Sequence, residues 1–238
     1  MFAEYEAQIR AEALAAVPNE AVWLITEKGC RLVENISATP TTHFEVSQSN
    51  VAKATAEGLL AVVHSHAHGD PVPSEADMHG QLASSVPWGI VATNGVTCEE
   101  IVWWGDGVPK APLVGRGFRH GVTDCYALVR DYYKMERGVD LPEFPRGWNW
   151  WNLGEELFTT GFEKAGFVRI NQDEVEEGDV WLAQLRSDVP NHAGILLGQG
   201  LAIHQAGSTN AYDPTRLSVR EPVARYMPHI THWLRYAP

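Results

Sequence analysis

The first residues place Ile9, Ala13, Leu14 and Val17 at helical spacing among Ala and Glu, which predicts a helix over 2–16 that Pro18 ends. Two short apolar runs, Ala21–Thr26 and Arg31–Glu34, flank a Glu-Lys-Gly turn and predict a hairpin. Thr41–Val46 predicts a further strand, and Ser49–Glu57 a helix capped by Ser49 or Asn50. Leu59–His64 reads as a buried strand that runs into His-Ser-His. Ser74 caps the next helix, with Asp77 three residues on in a capping-box relation. Trp88–Ala92 and Glu99–Trp104 predict closing strands.

The pattern then breaks. Gly105–Gly117 holds four Gly and two Pro, which sustain neither a helix nor a central strand, and it reads as a linker. Beyond it, Thr123–Glu136 predicts a helix capped by Thr123, Leu141–Trp151 a loop rich in Pro and Trp, and Asn152–Ala165 a second helix stopped at Gly166. Strands are predicted at Phe167–Ile170, Val180–Leu185, Ala193–Leu197 and Leu201–His204. The division is therefore a domain over 1–105, a linker over 106–117 and a domain over 118–238, the second with a helical half before a β half.

Composition narrows the class. The 238 residues are 45% hydrophobic and 20% charged, as in soluble globular proteins. The longest apolar run, Gly58–Val63, falls far short of a bilayer span, so no membrane span is expected. The opening Met-Phe-Ala-Glu-Tyr-Glu lacks the basic flank and apolar core of a signal peptide, and synthesis is expected to end in the cytoplasm. There are 18 Lys and Arg against 30 Asp and Glu, a net charge of −12, with the acidic excess on both sides of Lys110. Such a chain repels phosphate backbones, so nucleic acid is not an expected partner. Three cysteines, Cys30, Cys98 and Cys125, in a chain read as cytoplasmic argue for free thiols.

Two constellations carry chemistry. His64 and His66 are two apart at a strand end, so both imidazoles share a face. Asp77 starts the following helix and can return a carboxylate. Three protein ligands with a fourth position left for water make the donor set of a catalytic zinc, which lowers the pKa of its water toward 7. The Ser74 hydroxyl is placed to steady an oxyanion. His-x-His alone is equally a polar loop, but the added Ser and Asp make the string specific. It resembles the JAMM (MPN-type) metallopeptidase family, with its Glu … His-x-His … Ser-x-x-Asp motif, over roughly residues 1–105. The resemblance implies a mixed sheet with flanking helices, one zinc on His64, His66 and Asp77, and Glu20 as general acid and base. Glu27 and Glu34 compete with Glu20 but fall in the turn and at a strand end. Ala67 stands where that family commonly has Pro, and His68 and His79 carry no motif role.

Cys125 sits in the first turn of a predicted helix, where the N-terminal field lowers a thiol's pKa. His192 and His204 lie on successive predicted strands; paired as a hairpin, these bring the imidazoles together. Without the histidines, a Cys on an amphipathic helix is ordinarily core. Asp124-Cys125, Gly178-Asp179-Val180, and His192-Ala193-Gly194-Ile195 followed by Ile203-His204 resemble the NlpC-type cell-wall cysteine peptidases, papain-like α+β enzymes, over about 117–238. The resemblance implies Cys125 as nucleophile, His192 as base and His204 as the third member. Tyr126 and Ala127 depart from the usual Asp-Cys-Ser-Gly, and Phe118 stands where that family often has a hydroxyl-bearing Tyr. Cys30 and Cys98 read as structural residues in strands, His120, His229 and His232 have no assigned role, and Trp148, Trp150 and Trp151 read as local core or as the wall of a substrate groove.

The order, JAMM-like before NlpC-like in one short chain, resembles the tail assembly proteins of lambda-like siphophages. The resemblance implies a bifunctional peptidase made in the host cytoplasm and carried to the virion tail tip, with peptidoglycan peptides as substrate and other tail-tip proteins as partners. The alternative is an assembly or scaffold factor in which one or both domains serve as binding modules.

Overall fold

Every side chain of Val22–Thr26 (β1) is buried, which marks a central strand covered on both faces. In this computed structural model, which describes residues 1–238, β1 pairs with Gly29–Val33 (β2) on one side and Leu59–Ala67 (β3) on the other, both antiparallel. Pro87–Thr93 (β4) adds to β3 in parallel and Val102–Gly105 (β5) closes the sheet, giving the order β2-β1-β3-β4-β5. The parallel step needs a crossover, supplied by helix Glu75–Ser84 (α3). Helix Ala3–Ala16 (α1) lays Ile9 and Ala13 against Trp23, Ile25, Ala61, Val63 and Val91. Burial at about 1.5–3 kcal/mol per large apolar side chain makes this face the core. Residues alternate along β3, so His64 and His66 point away from the α1 face that Val63 joins.

The hairpin, α1 and α3 lie where the pattern puts them. Thr41–Val46 is not a strand: Asn35 Oδ1 accepts from the amides of Ser37 and Glu45, and these local bonds hold the segment as a loop. Helix Gln48–Ala56 (α2) is capped by Ser47, whose side chain accepts from Asn50 N, rather than by Ser49 or Asn50. Cys98 makes an isolated bridge with Thr93 instead of lying in a strand.

The chain divides into compact units at Pro109/Lys110. The stretch read as a linker is tied down from Leu113 onward: Leu113 joins the second core, Gly115 N donates to Ser218 O at 2.9 Å, and Arg116 Nη1 reaches Asp131 Oδ2 at 2.6 Å.

In the second unit, helix Cys125–Arg137 (α4) packs on a seven-stranded antiparallel sheet of order β6-β11-β10-β9-β8-β12-β7. Its strands are Gly117–Arg119 (β6), Phe167–Ile170 (β7), Val180–Ala183 (β8), His192–Leu196 (β9), Leu201–Gln205 (β10), Tyr212–Pro222 (β11) and Ile230–Tyr236 (β12). Leu128, Val129 and Tyr133 of α4 meet Val180, Leu182, Ala193, Ile195, Ile203 and Leu234. Asp124, not Thr123, caps α4 and accepts from Ala127 N; Thr123 Oγ1 donates to Gly117 O instead. Only Leu157–Gly161 (α5) of the predicted helix 152–165 forms a helix. Gly154 takes a left-handed φ of 87°, and the Thr159 and Thr160 hydroxyls bond Glu156 O. The sequence pattern did not reveal β6, β11 or β12: β6 is three residues long, and β11 is largely exposed with Pro214 and four charged residues inside it.

Gly194 sits opposite His204 in the β9–β10 pair, and a Cβ there would lie 2.3 Å from Trp181 Cζ2 and 2.9 Å from His204 Cβ. Gly194→Ala is expected to cost about 1–3 kcal/mol by overpacking, read as a lower denaturation midpoint; an unchanged midpoint would contradict this close approach.

Candidate functional sites

The first site forms at the C-terminal end of β3. Both histidine rings and the Asp77 carboxylate converge there, with one ligand atom from each within 4.8 Å of the others. His64 Nε2 lies 3.0 Å from His66 Nε2 and 3.5 Å from Asp77 Oδ1, and His66 Nε2 is 4.0 Å from Asp77 Oδ2. His66 Nδ1 is 2.8 Å from Asp70 O, which only accepts, so Nδ1 carries the hydrogen and Nε2 presents a lone pair inward. Burial, with the neighbouring His64, lowers the His66 pKa to about 4, keeping it in the neutral form that binds metal. Burial works against the Asp77 charge, but His64 and bonds from Ser74 outweigh it, and the carboxyl stays well below its usual range. These donors fit a tetrahedral cation with one open position.

Ser74 orients Asp77 through a full capping box: its N and Oγ donate to Asp77 Oδ2 at 2.8 and 2.7 Å, and Oγ accepts from Asp77 N at 3.1 Å. Its hydroxyl hydrogen is therefore committed to the carboxylate rather than free for an oxyanion. Glu20 reaches the site because the β1–β3 pairing continues past Val22↔His64: Ser65 N donates to Ala21 O at 2.9 Å, and Ala21 N donates to Ser65 Oγ at 2.8 Å. Glu20 is 8% exposed, and burial raises its pKa to about 7, against the pull of His64. Glu27 and Glu34 are exposed, outside this cluster. Phe44, from the loop read as a strand, lies 4.7 Å ring to ring from His64. His68 takes a left-handed φ of 60°, and His79 is exposed beside Glu75.

The second site forms where α4 begins against β9. Burial raises the Cys125 thiol pKa to about 12; the Asp124 charge adds to this, while N–H groups of Ala193 and Tyr126 at the sulfur pull the other way. The helix terminus therefore does not produce the standing low-pKa thiol expected from its field. Burial also lowers His192 to about 3. The β9–β10 pairing brings His192 Nε2 to 3.1 Å from His204 Nδ1.

Two further groups complete the surroundings. His204 Nε2 lies 2.8 Å from Glu221 Oε1, a residue of the unrecognised strand β11. Arg146 Nη2 is 2.8 Å from Asp124 Oδ2 and 3.0 Å from Oδ1, while its Nη1 reaches Glu143 Oε1 at 2.7 Å; Glu143 in turn pairs with Arg130. This buried chain of alternating charge neutralises the carboxylate beside the thiol, and breaking it is worth about 3–5 kcal/mol. His120 is buried within 3.6 Å of Asp124 and bonded to Arg146 O. Asp124 was legible as part of Asp-Cys; Arg146 and Glu221 carry no local motif. Phe118 is buried against Trp148, and Trp148, Trp150 and Trp151 stack edge to face, with Trp150 also on Phe158.

Residues 2–104 match the model of prokaryotic homologs of the JAB domain, and residues 110–229 match that of the NlpC/P60 family. The tail tip assembly protein K of Escherichia phage lambda is 38% identical over 74% of this chain and 80% of its own length. The protein of the same name from Escherichia phage N15 is 32% identical over 82% of each. Among solved structures, the NlpC/p60 domain of the peptidoglycan hydrolase SagA is 21% identical over 52% of this chain and 89% of its own, with a TM-score of 0.34. The chain thus belongs to the tail tip assembly protein K family, with a JAB-type domain followed by an NlpC/P60 domain.

Proposed function

We propose that this tail tip assembly protein is a working cysteine peptidase that cuts amide bonds of peptidoglycan stem peptides, with a second, zinc-dependent peptidase site in its first domain. The observation that carries the first reading is that Cys125 at the start of α4 meets the Ala193 amide of β9, next in sequence to His192, whose Nε2 lies 3.1 Å from His204 Nδ1. His192 takes the thiol proton as the sulfur attacks the substrate carbonyl. The C–N bond then breaks, the imidazolium returns that proton to the leaving amine, and water hydrolyses the thioester. Burial keeps thiol and imidazole both neutral at rest, so the proton moves only as the bond forms. Backbone N–H groups at the α4 start are the available oxyanion donors.

In the first domain, His64, His66 and Asp77 would hold zinc, with Ser74 orienting Asp77. Bound zinc supplies Lewis acidity and an activated water for a peptide or isopeptide bond. Glu20, with its pKa near 7, can hold a proton and pass it to a leaving amine. Both activities fit tail maturation or host entry, with assembly in the host cytoplasm or residence at the virion tail tip, among other tail-tip proteins.

Wild-type protein should release peptide fragments from purified peptidoglycan, and Cys125→Ala should abolish release; digestion that persists in Cys125→Ala overturns the nucleophile assignment. The same preparations should carry about one zinc per chain, lost in His64→Ala but kept in Cys125→Ala. Metal analysis finding no zinc in any of them would remove the second site. Without substrate, alkylation of Cys125 should be slow near neutral pH and climb as pH rises toward the raised thiol pKa of about 12. A rate already on its plateau near pH 6 would instead mean a standing thiolate–imidazolium pair.

A further inference from the structure

We propose that Glu221 is a positioning residue of the cysteine site, fixing through His204 which nitrogen of His192 is free to accept the Cys125 proton. This rests on Cys125 and His192 being nucleophile and base.

The geometry starts from strand register. On β11, Glu221 pairs with Ala202 and Val219 with His204, so Glu221 sits two residues along from the partner of His204 and on the same face. Its Oε1 is 2.8 Å from His204 Nε2 and 2.8 Å from the Tyr226 hydroxyl, and its Oε2 is 2.9 Å from Arg225 Nη1. Three neighbours that can donate hold the carboxylate ionised, and its pKa is lowered despite partial burial. An ionised carboxylate only accepts. His204 must therefore carry its hydrogen on Nε2.

The rest follows along the line. A neutral imidazole with hydrogen on Nε2 has its lone pair on Nδ1. His204 Nδ1 faces His192 Nε2 at 3.1 Å, so His192 Nε2 must donate. That leaves Nδ1 as the single accepting nitrogen of His192. When the thiol ionises, the proton passes from Sγ to Nδ1 and the electron pair stays on sulfur. The imidazolium keeps its Nε2 hydrogen on His204, so no partner is lost. Were the chain of hydrogens reversed, His192 Nδ1 would already be protonated and could not act.

The rings have little freedom to escape this order. Trp181 packs beneath both histidines at 5.4 and 5.9 Å and stacks on Tyr226 at 5.0 Å, and Tyr226 lies edge-on to His204 at 4.8 Å. The Tyr226 hydroxyl returns to Glu221, tying ring packing to the carboxylate. His204 is 1% exposed, whereas the Glu221 side chain is 20% exposed, so the carboxylate anchors the buried pair from the rim.

The test uses full-length protein labelled with 15N histidine at about pH 8. In wild type, His204 and His192 should both show hydrogen on Nε2 and a bare Nδ1. Glu221→Gln and Glu221→Ala should show mixed or reversed forms at His204. Alkylation of Cys125 by iodoacetamide, followed at that peptide by mass spectrometry, should fall about fivefold or more in both variants. Thermal melts check that the variants fold, and the near-isosteric Gln variant decides if the Ala variant does not. Wild-type histidine signals in a folded variant, or alkylation within about twofold of wild type, would overturn the proposal. Neither readout needs a substrate, so shifted tautomers and slowed alkylation alongside intact peptidoglycan would leave Glu221 in place and reject only the substrate reading.

Discussion

Desolvation is the constraint on which both sites depend. Each is built from ionisable groups at strand ends or helix starts that are largely withdrawn from water, and there a charge survives only where partners outweigh the loss of hydration. Asp77 keeps its charge because His64 and Ser74 overcome burial. Glu20 lacks enough such partners and rises to about 7, near the pH where it would have to exchange protons. Cys125 and His192 are both pushed to their neutral forms, so no thiolate–imidazolium pair stands between them at rest. The same burial that sets these values also fixes geometry, since a half-satisfied polar group in such a place would cost the fold 1–3 kcal/mol or more.

Neutral at rest does not mean inert. The thiol lies beside Asp124, whose charge opposes thiolate formation, yet that charge is itself held by Nε and Nη2 of Arg146. The guanidinium fork matches the carboxylate as a planar pair, and its other arm is occupied by Glu143. The carboxylate is thus free to cap α4 through Ala127 N and to bond Gly121 N without presenting a bare negative charge to the sulfur. On the opposite side, β9 contributes both His192 and the Ala193 amide, so one strand supplies the proposed base and an N–H at the sulfur.

Much of this was readable from residue types and spacing, and the reasons are local. His-x-His at a strand end and Ser-x-x-Asp at a helix start each obey a short-range rule, alternation and capping, so the cluster of His64, His66 and Asp77 follows from chain geometry. The twelve-residue spacing of His192 and His204 implied a hairpin, and β9 pairs with β10. What escaped was non-local or strongly context-dependent. Glu221 lies on an exposed, charge-rich strand with Pro214 inside it, so nothing in its neighbourhood marks it as a partner of a buried histidine. Arg146 comes from an irregular Pro- and Trp-rich loop and meets Asp124 only in three dimensions. The expected lowering of the Cys125 pKa considered the helix terminus but not the packing of α4 on β9, and burial reversed the sign. The truncated α5 had the composition of a helix, but Gly154 and two threonines bonding backward made other local structure cheaper.

As the proposed nucleophile, Cys125 would form a covalent bond to the acyl half of a peptidoglycan peptide. Acid-quenching the reaction within its first turnover and mapping the protein by mass spectrometry tests this directly. A stem-peptide acyl group is expected in thioester linkage on the peptide that contains Cys125, and not on the peptides of Cys30 and Cys98. Fragment release with Cys125 unmodified throughout, or with the acyl group on another residue, would contradict it.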